Sequence, residues 1–100
     1  MDPSQEQSAV SPGGAGDRGV LVEVLTKPGC HLCEEALAVT AEACAEFALE
    51  PVEVDLSADP EALARHAEEI PVLRIDGRVR DFWRFDPIRL RRMLREATAR

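Results

Sequence analysis

Val20-Leu21-Val22-Glu23-Val24-Leu25-Thr26-Lys27-Pro28-Gly29-Cys30-His31-Leu32-Cys33 is the stretch on which the reading of this chain turns. Its first half is a short run, apolar on both faces and interrupted by Glu23, which suits a central strand covered on both sides. Lys27-Pro28-Gly29 breaks the run. Two cysteines two residues apart then stand where a helix is expected to begin. A cysteine at a helix start lies against unsatisfied backbone N–H groups and the positive end of the helix dipole, and both favour thiolate over thiol. A second cysteine one turn on can close a disulfide and release whatever the first has attacked. The stretch reads as a thiol–disulfide exchange centre.

Working outward, the helix is expected over 31–47. Cys33, Leu37, Thr40 with Ala41, Cys44, and Phe47 with Ala48 recur at helical spacing and form its predicted inward face. Glu34, Glu35, Glu42 and Glu46 take the outer face. Residues 51–55 alternate Val52 and Val54 against Glu53 and Asp55, a second strand. Asp59 then Pro60 is a side-chain cap followed by proline at the first helical position. It opens a short helix to about residue 67, with Leu63 and Ala67 inward and His66 on the surface. A third strand is expected over 70–75. Asp76-Gly77 marks a two-residue hairpin turn, and 78–83 returns as a fourth strand. Asp86-Pro87 repeats the cap-and-proline signal before a last helix with an apolar stripe of Leu90, Met93, Leu94 and Ala97. The order is β-α-β-α-β-β-α. Strands joined through a helix should be parallel with a right-handed crossover, and the last two antiparallel. The expectation is an α/β fold with a four-stranded mixed sheet and helices on both faces.

The chain has 100 residues, enough for one small domain. Residues 1–18 are rich in Ser, Gln, Gly and Pro and read as a disordered tail, with the domain over 19–100. Hydrophobic residues make up 45%, enough for a core without staples, and three cysteines is an odd number for a disulfide framework. The net charge of −7 argues against general nucleic-acid binding. That average hides an asymmetry: residues 20–73 hold twelve acids and two bases, and residues 74–100 hold nine arginines and four acids. The basic strip is either a solvated face balancing charge within the molecule or an anion or partner site. No apolar run approaches the ~20 residues of a membrane helix. The first residues lack the basic and apolar regions of a secretory signal. A cytoplasmic, reducing setting is expected, where a Cys-x-x-Cys serves catalysis or metal binding more often than structure.

Three features together resemble the glutaredoxin-like branch of the thioredoxin superfamily: Lys27 to Cys33 after the first strand, Ile70-Pro71 before the third, and the element order. The likeness spans roughly residues 19–97. It implies a thioredoxin-like fold in which Cys30 is the exposed nucleophile and Cys33 the more buried resolving thiol. It also implies a cis peptide before Pro71, with the backbone of Ile70 pairing with a bound disulfide substrate as an added strand. The chain departs from the family pattern over 81–86, where Asp81-Phe82-Trp83-Arg84-Phe85-Asp86 replaces a Gly-Gly pair, and at His31-Leu32 between the cysteines.

Other readings stay open beside these. Structural zinc takes four ligands, and Cys30, Cys33 and His31 would give three, so no metal is expected. Cys44 lies eleven residues beyond Cys33 on one helix face, about 16 Å away, and reads as a small core residue. His31 either supports the Cys30 thiolate as imidazolium or points to solvent; Lys27 either adds positive potential or is solvated. Trp83 and Phe85 either line a groove beside the cysteines or pack under the last helix, and Arg84 could meet a carboxylate. Two functions of different class follow. One is a thiol–disulfide oxidoreductase acting on protein disulfides or glutathione mixed disulfides. It would be a monomer with no bound cofactor, with glutathione as a co-substrate and glutathione or a reductase as electron donor. The other is a non-catalytic redox-sensing or docking module that uses Arg89, Arg91, Arg92 and Arg95.

Overall fold

The computed structural model describes residues 19–99. The reading of 1–18 as a tail lies outside the described residues. The chain runs β1 (Val22–Thr26), α1 (His31–Ala45), β2 (Val52–Asp55), a 3-10 turn (Leu56–Ala58), α2 (Pro60–His66), β3 (Val72–Ile75), β4 (Arg78–Phe82) and α3 (Pro87–Thr98). The sheet order is β2-β1-β3-β4. β1 pairs parallel with β2 and antiparallel with β3, and β3 pairs antiparallel with β4. The expected α/β architecture with a four-stranded mixed sheet is the observed one. The hairpin closes on Asp76 and Gly77, both at positive φ (53° and 83°), the conformation that a two-residue turn of matching twist requires.

Strand alternation sends side chains to two cores of unequal size. Val22, Val24, Leu73 and Ile75 face α1 and α3 and pack with Ala36, Ala43, Cys44, Phe85, Leu90, Met93 and Leu94. On the other face Leu25 and Val72 pack with Leu56, Ala62, Ile70 and Cys33 under α2. Helices cover both faces, but α2 is a seven-residue helix and the second core stays small. Beyond it Glu23 and Arg74, paired across β1 and β3, close a 3.0 Å ion pair. Val52 and Val79 are exposed. The run expected to be covered on both faces is therefore fully covered on one, and Glu23 marks where the second cover ends.

The helix ends follow their caps. Asp59 Oδ1 accepts from the Ala62 N–H at 3.2 Å, and Asp86 Oδ1 from the Ile88 N–H at 3.0 Å, removing orphan donors at each start. α1 stops at Ala45, two residues before its expected end. The Phe47 N–H turns back to the Cys44 carbonyl, and Ala48 adopts φ 58° so that the Leu49 N–H can also reach that carbonyl. This left-handed exit buries Leu49 and leaves Ala48 exposed. The inward face of α1 also shifts. Ala36 and Ala43 are buried and Ala41 is exposed, because Ala41 lies about 100° around the helix from Thr40. In α2 the inward residues are Ala62, Leu63 and His66, and Ala67 is exposed. His66 is mostly buried rather than on the surface, its Nδ1 lying 3.2 Å from Glu69 Oε1.

Much of the basic strip is held within the molecule. Arg89 Nη2 stands 2.6 Å from Oδ2 of buried Asp81, a close ion pair not aligned as a hydrogen bond. Arg91 Nε donates to Glu46 Oε2 at 2.6 Å. The two pairs fix α3 to β4 and to the end of α1. Arg92 and Arg95 remain exposed. Among the described residues no helix is long and apolar enough to cross a membrane.

Candidate functional site

β1 ends at Thr26, and Lys27, Pro28 and Gly29 are exposed; Gly29 turns the chain at φ 71°. Cys30 is the N-cap of α1, with extended backbone, and its Sγ accepts the Cys33 N–H at 3.1 Å. A thiol stands here in the place a serine or aspartate oxygen usually takes. It faces the first-turn amides, where negative charge is favoured. Cys30 is partly exposed and Cys33 is 3% exposed. Burial, foremost, and the hydrogen bond with Cys30 push the Cys33 thiol up from 9.0 to about 11, against a hydrogen bond from the Lys27 backbone. The two thiols are thus unequal in access, and Cys33 holds its proton at neutral pH.

The sheet register brings the proline segment to the same place. Val72 pairs with Leu25 on one side and Phe82 on the other, so the start of β3 adjoins the end of β1. The Ile70–Pro71 peptide is cis, as the family resemblance implied. Ile70 and Cys33 belong to one apolar cluster, with Cys30 packed against it. Cys30, Cys33, Ile70 and Pro71 are therefore gathered at one end of the sheet. His31 and Lys27 are exposed. Cys44 is fully buried in the main core, where desolvation raises its thiol to about 11. Among the described residues no group of three His, Cys, Asp or Glu is placed to hold a metal ion.

The 82–85 segment splits the two readings of its aromatics. Phe85 is buried in the main core, and Phe82 and Trp83 are exposed. Trp83 has φ 68°, an unusual conformation for a bulky side chain and one that costs about 1–3 kcal/mol. Its backbone N–H donates to the Pro71 carbonyl at 2.8 Å, and its indole N–H to the Glu68 carbonyl at 2.7 Å. Trp83 thereby ties β4 to both sides of the Ile70–Pro71 bend. Its ring meets Phe82 edge-on at 4.9 Å. It also lines a cavity of about 240 Å³ with Glu35, Ala36, Val39, Arg84, Phe85 and Pro87. Arg84 does meet a carboxylate: its Nη1 donates to Glu35 Oε1 at 3.3 Å across two exposed side chains. Sequence reasoning missed the Glu68 carbonyl as a partner, because a backbone acceptor carries no residue signal.

The sheet, the helices on both faces, and a Cys-x-x-Cys at a helix start beside a cis-proline define a thioredoxin-fold domain. Residues 21–95 match the model of the Glutaredoxin-like domain (DUF836) family, and the chain belongs to that family. An uncharacterized protein of Mycobacterium bovis is 33% identical over 82 residues, spanning 77% of this chain and 84% of the relative. One from Mycobacterium tuberculosis matches to the same extent. The X-ray structure of a structural-genomics target protein from X. campestris superposes with TM-score 0.63 at 32% identity, covering 75% of this chain and 96% of that one. The thioredoxin of Malassezia sympodialis superposes with TM-score 0.57 at 17% identity, over 86% and 78% of the two chains, a likeness of fold alone.

Proposed function

We propose that the chain is a thiol–disulfide oxidoreductase in which Cys30 attacks and Cys33 resolves. The observation that carries the reading is the Cys33 N–H to Cys30 Sγ bond at the start of α1, with Cys30 partly exposed and Cys33 buried. The Cys30 thiolate attacks one sulfur of a substrate disulfide. A Cys30–substrate S–S bond forms, the substrate S–S bond breaks, and the departing thiolate takes up a proton. Cys33 then gives up its proton and attacks Cys30 Sγ, releasing the second substrate thiol. The substrate gains two electrons and two protons, and the protein is left with a Cys30–Cys33 disulfide. An external thiol reductant, glutathione or a reductase, returns the pair to the dithiol.

The order of attack is built into the pair. Two of the influences that raise the Cys33 thiol, its hydrogen bond with Cys30 and the charge of Cys30, end once Cys30 enters a mixed disulfide. The Lys27 backbone bond that favours the Cys33 thiolate remains. Burial, the largest influence, still opposes ionisation, so the first step eases the loss of the Cys33 proton without removing its main barrier. Pro71 and the backbone of Ile70 are the proposed docking edge for the substrate backbone. The substrate is a protein disulfide or a glutathione mixed disulfide, with the protein acting as a monomer in a reducing cytoplasm. The test is reduction of insulin or hydroxyethyl disulfide, with glutathione and its reductase in one reaction and a thioredoxin-reductase system in another. Wild type should turn over and Cys30→Ser should not; full activity of Cys30→Ser would refute the assignment.

A further inference from the structure

Trp83 is the sole tryptophan of the chain. Three of its features converge on the cysteine end of the sheet. Its backbone is held at positive φ. Both of its N–H groups are committed to the carbonyls of Glu68 and Pro71, which flank Ile70. The residue is nonetheless 52% exposed. A ring buried for packing alone would not be left half open on a strained backbone. The ring also walls the cavity that begins at Glu35, two residues beyond Cys33.

Glu35 and Arg84 line the cavity with the ring, and the indole N–H meets the backbone of Glu68; further acids stand next to these in the chain. Glu34, Glu35 and Glu68 are exposed, and the Glu69 side chain is 47% exposed and lies against His66. Arg84 and Glu35 pair and offset one another, which leaves Glu34, Glu68 and Glu69 as the acids of this region. Lys27 and His31 lie on the Cys30 side. A half-exposed indole face among carboxylates attracts a lysine or arginine side chain and repels the carboxylates of a small anionic thiol such as glutathione.

We infer that Trp83 is a specificity-determining residue of this site, selecting polypeptide disulfides that carry a cationic side chain beside the cystine over glutathione disulfide. The inference rests on the exchange reading above. Three probes test it: the disulfide of a short capped peptide with arginine on both sides of its cysteine, the same peptide with glutamate instead, and glutathione disulfide. Wild type should favour the arginine peptide by about tenfold or more in kcat/KM, chiefly through KM, and the preference should shrink with added salt. Trp83→Leu should bring the arginine-to-glutamate ratio towards one. That ratio is unaffected by a lower folded fraction, because both probes meet the same molecules.

A second measurement needs no turnover. In the Cys30→Ser, Cys33→Ser protein, the reduced arginine peptide should change Trp83 emission saturably, and the glutamate peptide should not at the same concentration. Equal rates on all three probes, or unchanged emission with the arginine peptide, would overturn the inference. If the arginine peptide binds by emission but wild type turns over no disulfide, the wall stands and the exchange reading fails. If turnover depends on Cys30 but is equal on all probes, the exchange reading stands and the wall fails.

Discussion

Replacing Cys44 with alanine should weaken the protein at neutral pH and strengthen it at high pH, and the crossover can be placed. Cys44 is fully buried in the main core. Removing its sulfur leaves a small void that costs about 1 kcal/mol. Desolvation holds its thiol at about 11 against 9.0 for the unperturbed group. The folded state thus keeps a proton that the unfolded chain loses first. Its stabilising share is fully present below pH ~9 and is lost as pH rises through the folded value, at up to about 1.4 kcal/mol per pH unit. By pH ~11 the loss is roughly 2 kcal/mol. The wild-type and Cys44→Ala stabilities should therefore cross near pH ~10. The window is uncluttered, since the chain has no tyrosine and Lys27 is its one lysine. Urea unfolding in a phosphine reductant, followed by far-ultraviolet circular dichroism between about pH 8 and 11, reads the difference. The remaining groups are common to both proteins and cancel. A constant difference across that range would refute the argument, because it would mean that Cys44 ionises equally in both states.

Other perturbations address packing and reactivity. Leu94 is fully buried between α3 and the sheet, so Leu94→Ala should cost about 2–5 kcal/mol in urea unfolding. Arg89→Ala leaves the buried Asp81 carboxylate without its 2.6 Å counter-charge, so it should lower stability in urea unfolding. Adding Asp81→Asn to Arg89→Ala should recover part of that loss, and additive costs would show that the pair is not coupled. Iodoacetamide at neutral pH should label Cys30 well before Cys33 and Cys44 by peptide mass mapping, because the latter two are buried with raised thiols. Equal labelling of Cys30 and Cys33 in the folded protein would contradict the inequality of the two thiols.

The sequence made the topology legible because its local signals agree with the global fold. Asp59-Pro60 and Asp86-Pro87 cap the helices they announced, and Asp76-Gly77 makes the turn. Cys30, Cys33 and Ile70, which the family likeness singled out together, share one apolar cluster. What stayed hidden depended on tertiary contacts. Ala36 and Ala43 are buried and Ala41 exposed, and three alanines carry no label for which one faces the sheet. His66 turns inward because α2 rests on a small core that ends beneath it. The positive φ of Trp83 and its bonds to Glu68 and Pro71 follow from how β4 meets the proline bend, which no residue spacing encodes. Phe85 could be read as core or groove until the course of the 83–87 segment placed it in the core.

In the proposed exchange the partly exposed Cys30 at the head of α1 attacks and the buried Cys33 resolves. Mass spectrometry of the Cys33→Ser protein after exposure to a disulfide peptide tests it most directly. A stable adduct of one peptide thiol on Cys30 is predicted, with none on the Cys30→Ser protein under the same conditions. An adduct on Cys33 or Cys44, or none on Cys30, would contradict it.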